Sequence, residues 1–498
     1  MNTYLGNKGY TVFKKELSAE QETKLKYDLT ARPVTQGGPG TNETITYPVY
    51  RESGAKFYIP KFYGEKVFGP PKVCKISHGD PIDVPFVGTL RENQVPVVET
   101  YLKQIENGGS GGLLELQCAF GKTCLSLYLC SQVKRKTLII VHKEFLMNQW
   151  IERIKQFVPS ARVGKIQGQI IDIENKDIVL GMLQSLSMKD YPENMFDSFG
   201  LLVVDEVHHI SSQVFSCALF KIVTRYTLGL SATMERKDGT TKIFKMFLGD
   251  VVYKGTRDEK HPVVVRGIEY ISGDEEFNEI KYDYRGNVMH STMISKLCEF
   301  NYRSEFILKV LVDLLKENDK QQIMILAHNR CLLTYFHDAI NHRNICSCGY
   351  YVGGMKEQAL KQTESKQVVI ATYSMASEAL DIKTLTTLIM ATPKTDIQQS
   401  VGRILREKHS QPIVVDIVDN HSCFKNQWTK RKTFYRKENY KIIYTTSTNY
   451  NTNFKCWKVV YNPKNSHSEE EIIEKDKEEG EITGKCLIKL KPKQKEKP

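Results

Sequence analysis

Short apolar runs separated by helix-length stretches set the pattern of the chain from residue 110 onward. "GLLELQ", "TLIIVH" (137–142), "DIVLGML" (177–183), "GLLVVDE" (200–206) and "YTLGLSAT" (226–233) are too short for buried helices and lack the alternation of a half-exposed strand. They suit strands of a parallel sheet covered on both faces. The series recurs after residue 320 as "QQIMILAH", "GYYVGG", "KQVVIATY", "TLIMAT" and "PIVVDIV". That repetition predicts two tandem α/β lobes with parallel sheets.

The flanks read differently. "TQGGPGTNETITYPVY", "AKFYIPKFYG" and "VFGPPKVC" alternate aromatic or β-branched residues with Gly and Pro, which predicts short strands and turns in a small β-containing accessory domain. One helix is expected inside it, over 17–30. The polar, aromatic stretch "GIEYISGDEEFNEIKYDYRGN" reads as a connector, and the end of the chain is charge-rich low complexity, expected to be disordered. The predicted organisation is an accessory domain (1–87), a first lobe (88–255), a connector (256–300), a second lobe (301–445) and a charged tail (446–498).

A chain of 498 residues has room for about three units at ~150 residues each. No apolar run reaches the ~18–20 residues of a membrane span, and no basic segment leads into an apolar one as a secretory signal would. Twelve scattered cysteines, several within apolar runs, fit free thiols in a reducing intracellular compartment. Cys346 and Cys348 follow His342 closely, but a fourth ligand at a familiar zinc spacing is lacking. Seventy Lys+Arg against 58 Asp+Glu leave a charge of +12, which favours polyanionic partners without naming one.

Two motifs bear phosphate chemistry. "AFGKTC" places Gly121, Lys122 and Thr123 between a strand and a helix, where backbone N–H groups can curl around a polyphosphate, the Lys can reach its outer phosphates and the hydroxyl can hold Mg²⁺. The first glycine of the usual G-x-x-x-x-G-K-[ST] loop is replaced by Leu116. The fourth apolar run of the first lobe ends in Asp205 and Glu206, at the strand end where open α/β sheets place ligands. An aspartate there can bind Mg²⁺, and a neighbouring glutamate can orient or deprotonate water.

"DEVHH" (205–209), "GLSAT" (229–233) and "QSVGRILR" (399–406) resemble motifs II, III and VI of superfamily-2 DExH helicases. The chain is most similar to the XPB-like branch, which includes transcription-associated helicases of nucleocytoplasmic large DNA viruses. The resemblance spans about 88–445 and implies two tandem RecA-like lobes. Carried over by residue, it implies that Arg91 and Gln94 serve the adenine end of ATP, that Gly121, Lys122 and Thr123 hold the phosphates, and that Thr123 and Asp205 share Mg²⁺. Glu206 becomes the catalytic base. His208, Ser231, Thr233 and Gln399 become the coupling residues, and Arg403 with Arg406, three apart on a helix, the arginine fingers. Asp381 would lie near the nucleotide, and Lys143, Arg236, Arg330 and Thr372 would contact nucleic acid. Alanine stands at 119 and 379, where the family usually has glycine. At a left-handed position each methyl would cost roughly 1 kcal/mol.

The resemblance implies an ATP- and Mg²⁺-dependent helicase or translocase, acting on DNA more than RNA, in viral transcription. RNA polymerase or a transcription complex would be its partner, and the virion and host cytoplasm its locations. Two other readings stay open: an RNA helicase, and a non-catalytic scaffold with a degenerate phosphate loop. A nuclease-linked restriction or repair subunit lacks an acidic nuclease cluster in either flank. "TKRKTFYRKENYKI" (429–442) either stacks its aromatics on bases or packs them on the second lobe, the latter being the expectation. Leu146 and Trp150 are expected in the core.

Overall fold

The computed structural model describes residues 2–33, 46–117, 120–209, 212–232, 240–255, 262–378, 382–405, 409 and 411–463. The chain divides into two compact units near residue 260.

The first unit opens with short strands: β1 (Thr3–Gly6), β2 (Gly9–Phe13), β3 (Thr30–Ala31), β4 (Tyr47–Pro48), β5 (Arg51–Glu52), β6 (Lys56–Ile59) and β7 (Val73–Cys74). Five of them make a sheet in the order β5-β6-β2-β1-β7. Helix α1 (Ala19–Asp28) starts where the Ser18 hydroxyl accepts from the Gln21 N–H and the Gln21 side chain accepts from the Ser18 N–H, a reciprocal cap that satisfies two orphan donors. Leu25 and Leu29 then pack on Leu5, Tyr10, Val12, Phe57 and Ile59. Helix α2 (Lys61–Phe68) ties this layer to a second, larger sheet: the buried Lys61 ammonium donates to the carbonyls of Thr224 and Arg225 at 3.4 and 2.8 Å.

That larger sheet has eight strands: β8 (Gly111–Leu116), β9 (Thr137–Val141), β10 (Val163–Gln167), β11 (Ile170–Asp172), β12 (Ile178–Met182), β13 (Leu201–Val204), β14 (Tyr226–Ser231) and β15 (Val251–Gly255). Their order is β11-β10-β12-β9-β13-β14-β8-β15, antiparallel only at β10–β11. Helices α3 (Val95–Glu106), α4 (Lys122–Val133) and α5 (Glu144–Phe157) pack on it. Alternate residues feed two cores, with Leu113, Ile140 and Val204 in one and Leu114, Ile139 and Val203 in the other. That double burial is why these strands read as unbroken apolar runs. Strands β13, β14 and β8 are neighbours, so the loops leaving their C-terminal ends converge.

The second unit repeats the plan with β16 (Val264–Tyr270), β17 (Gln322–Ala327), β18 (Cys348–Tyr351), β19 (Val368–Thr372), β20 (Leu385–Met390), β21 (Ile413–Asp419), β22 (Lys441–Thr446) and β23 (Lys458–Tyr461). Their order is β18-β19-β17-β20-β21-β16-β22-β23, antiparallel only at the last pair. Two arginines are buried against strand β21. Arg303 meets Asp419 through two bonds of 2.6 and 2.8 Å, and Arg431 meets Asp416 through two of 2.8 Å.

All ten apolar runs are strands, and the fold class is the expected one: α/β, two tandem RecA-like lobes and a small β-containing N-terminal layer. Two stretches differ from expectation. The region read as a connector, 256–300, contributes β16, which lies between β21 and β22 inside the second sheet. The region read as tail begins with structure, because β23 pairs with β22. Residues 464–498 lie outside the described residues. The 429–442 stretch packs rather than projects: Arg431, Tyr435, Tyr440 and Ile442 are buried. Among the described residues no helix is long and apolar enough to cross a membrane.

Candidate active site

Strand β8 ends at Leu116, and α4 begins at Lys122 directly after Gly121, whose φ of +86° is the left-handed conformation that favours glycine. Space as well as φ requires glycine here. A Cβ on Gly121 would lie 2.5 Å from Gln94 Nε2. The Gln94 amide is buried and held at both ends: Nε2 donates to the Phe120 carbonyl at 2.7 Å, and Oε1 accepts from the Arg91 N–H at 2.9 Å. Gln94, expected at the adenine end, braces the turn that leads into α4.

Asp205 and Glu206 leave β13 beside that loop. Lys122 Nζ lies 2.6 Å from Glu206 Oε1, and His208 Nδ1 lies 3.4 Å from Glu206 Oε2. His208 Nδ1 also meets Ser231 Oγ, at the end of β14, at 2.7 Å. Polar side chains therefore follow one another from Lys122 through Glu206 and His208 to Ser231, hydrogen-bonded at both ends and only in close approach between Glu206 and His208. Glu206 has φ +47°, unusual for a residue with a Cβ, and such strain gathers at working sites.

Asp205 is buried. Its Oδ2 accepts from Trp150 Nε1 and its Oδ1 from the Glu206 N–H, both at 2.9 Å. Burial is the main cause that pushes its pKa up to about 6; the Glu206 charge adds to this, while Lys122 and the Trp150 bond oppose it. A divalent cation beside this carboxylate would favour its charged form. The hard oxygen donors of Asp205 and Thr123, with Lys122 at the head of α4, fit a Mg²⁺–polyphosphate group. The sequence places Trp150 in the core and says nothing more of it. The available signal is its N–H, since a buried indole needs an acceptor.

The other expected residues are spread over both units. Lys143 precedes α5, with its ammonium 6.0 Å from the Phe145 ring. Arg330 opens the helix Arg330–His342 and donates to the Gly353 carbonyl. Thr372 ends β19, its hydroxyl 3.3 Å from that of Ser374. Gln399 lies in the short helix Gln398–Gly402, and Arg403 opens the 3₁₀ turn Arg403–Leu405. The helix expected to carry both arginines thus changes pitch at the first of them. Thr233, Arg236, Asp381, Arg406, Ala119 and Ala379 lie outside the described residues.

The chain has relatives in sequence. The family model described as "Type III restriction enzyme, res subunit" matches residues 88–236. A protein of Acanthamoeba polyphaga mimivirus, named as a candidate ATP-dependent RNA helicase (L396), is 35% identical over 465 residues, which cover 90% of this chain and 88% of its own. The chain belongs to the superfamily-2 helicases. The helicase is also 28% identical over 356 residues to a candidate ATP-dependent RNA helicase, QP509L, of African swine fever virus (isolate Pig/Kenya/KEN-50/1950), covering 66% of this chain and 69% of that one. It is 26% identical over 381 residues to a candidate helicase, 161L, of Invertebrate iridescent virus 6, covering 72% and 85%. Among solved structures, T4 UvsW aligns with 90% of the helicase and 99% of its own chain at a TM-score of 0.36 and 16% identity. As a member of this family the helicase is an enzyme that couples ATP hydrolysis to work on nucleic acid.

Proposed function

We propose that the helicase is a motor of the XPB-like branch that moves on DNA during viral transcription, in elongation, termination or transcript release, with RNA polymerase or its complex as partner. The observation that carries the motor reading is the path from Lys122 through Glu206 and His208 to Ser231. It joins the phosphate loop, the general base and the end of β14, the three parts that must respond together when ATP binds.

Lys122 pairs with Glu206 at 2.6 Å. ATP draws the ammonium to its outer phosphates, and the freed Glu206 carboxylate takes a proton from the attacking water. His208, losing a charged neighbour, shifts its bond to Ser231 and carries the change toward Thr233 and the polynucleotide. Thr123 and Asp205 would hold Mg²⁺, which would supply neutralisation of the phosphate charge. Arg403 and Arg406 supply positive charge to the transferred phosphoryl group, Gln399 couples with them, and Arg91 and Asp381 lie at the nucleotide. Lys143, Arg236, Arg330 and Thr372 grip the backbone, so activity falls as salt rises.

RNA is the second reading, favoured because two of the relatives are named as RNA helicases. Strand displacement from matched DNA, RNA and hybrid duplexes, with ATP and Mg²⁺, decides between them. Faster displacement of DNA supports the proposal; displacement confined to RNA duplexes contradicts it.

A further inference from the structure

The accessory sheet buries one face. Leu5, Tyr10, Val12, Phe57 and Ile59 enter its core, and the strand register brings Tyr4, Thr11, Phe13, Lys56 and Tyr58 together on the other face. An antiparallel sheet with one solvated face ordinarily places polar residues there. Here the face carries three half-buried aromatic rings, Tyr4, Phe13 and Tyr58, that belong to none of the buried clusters among the described residues. Tyr4 and Phe13 have centroids 6.2 Å apart, tilted by 56°.

Ammonium groups lie over the rings, on flexible side chains that a stacking base can displace toward its own phosphates. Lys56 Nζ lies 5.4 Å from the Tyr4 centroid and 5.1 Å from that of Phe13. Lys75 Nζ lies 4.4 Å from Tyr4, and Lys8 Nζ lies 6.0 Å from Tyr58. Lys56 also donates to the Tyr4 hydroxyl at 3.2 Å. Among the described residues Lys56 and Lys75 form no ion pair with a carboxylate. Lys8 does, with Glu193 at 3.3 Å, but in an exposed pair that salt screens.

We infer that this face docks a single-stranded polynucleotide, with bases stacked on Tyr4, Phe13 and Tyr58 and phosphates met by Lys56 and Lys75. Any base offers a π-face to such rings, and phosphates complement ammonium groups that no carboxylate among the described residues pairs with. A duplex keeps its base faces stacked inside and can offer only its phosphates. The inference rests on the nucleic-acid motor reading and adds a holding point outside the two lobes. A strand anchored on the accessory layer stays near the lobes through the part of each ATP cycle in which they release it.

The test uses the full chain without nucleotide and fluorescent thymidine and uridine 20-mers, with a duplex of equal length for comparison. The Tyr4→Ala/Tyr58→Ala double variant is expected to bind single strands at least tenfold more weakly while its duplex affinity changes little. Lys56→Gln/Lys75→Gln is expected to flatten the dependence of log affinity on log salt by about 1.4 for single strands. ATP hydrolysis in the absence of polynucleotide stays at the wild-type rate in both. Folded variants that bind as wild type, or that lose single-strand and duplex binding equally, overturn the inference. Should the aromatic variant not fold, a 4-thiothymidine 20-mer photocrosslinked to the wild type decides. Adducts at Tyr4, Phe13 or Tyr58 support the inference, and adducts on the lobes alone overturn it. A wild type that binds no polynucleotide overturns the proposed function as well, whereas unaltered variants overturn this inference only.

Discussion

The indole N–H of Trp150 donates to Asp205 Oδ2 at 2.9 Å, with both side chains buried. Helix α5 thereby holds the carboxylate that ends β13. The second carboxylate oxygen is held by the Glu206 N–H, so protein donors alone fix the orientation of Asp205. A bulky side chain that packs like core therefore also positions a candidate Mg²⁺ ligand.

Trp150→Phe keeps most of the packing and removes the N–H. The Mg²⁺ concentration giving half-maximal ATP hydrolysis should rise roughly tenfold or more, the range seen when residues behind metal ligands are lost. Magnesium titration of hydrolysis by the folded variant checks this. An unchanged midpoint would mean that the indole only packs.

Gly121→Ala should raise the KM for ATP by about tenfold. The methyl meets a left-handed backbone at φ +86° and would sit 2.5 Å from Gln94 Nε2. Gln94→Ala in the same chain removes the clash but also the brace on the Phe120 carbonyl, and leaves the φ penalty of roughly 1 kcal/mol, so it should restore at most part of the affinity. Full recovery in the double variant would assign the whole effect to the clash.

How much of this is legible in the sequence depends on what each position must satisfy. Strands buried on both faces show as apolar runs because no position faces water, and phosphate chemistry restricts residue types at fixed spacings. Strand β16 escapes such a reading because Arg266 and Gly267 interrupt it. The guanidinium of Arg266 is buried and bonded to Glu317 at 2.6 and 2.7 Å, a long-range pairing that no local pattern announces. Residue type shows what the Gln94 amide can bind, yet tertiary structure gives that amide two backbone partners. The role of Trp150 depends on where α5 lies relative to β13, which residue type alone does not reveal.

Lys61 makes stability depend on pH. Burial pulls its pKa down to about 8, with Glu65 opposing the shift and Arg225 adding to it. Below about pH 8 the ammonium is present folded and unfolded, and its desolvation is a constant penalty. Between about 8 and the ordinary 10.5 the folded state releases the proton first, so the unfolded state binds more protons and stability rises with pH. Urea unfolding of wild type and Lys61→Met at pH 7.5 and 10 should show the difference moving toward wild type by up to about 3 kcal/mol. A difference independent of pH would contradict the assignment.

Arg303→Met should destabilise the second unit by about 3–5 kcal/mol, because it leaves the fully buried Asp419 carboxylate without its cation. Arg303→Met with Asp419→Leu should recover much of that loss. Denaturant midpoints of the single and double variants check both expectations, and equal midpoints would show that the pair is not the source of the effect.

The central claim, a polynucleotide-stimulated ATP motor working through Lys122 and Glu206, is tested most directly by steady-state ATP hydrolysis. Wild type, Lys122→Ala and Glu206→Gln are compared alone and with single-stranded DNA, duplex DNA or RNA. Polynucleotide should raise wild-type turnover, DNA most strongly, and either substitution should lower it by at least about a hundredfold. Wild-type turnover equal to that of both variants under every condition would contradict the claim.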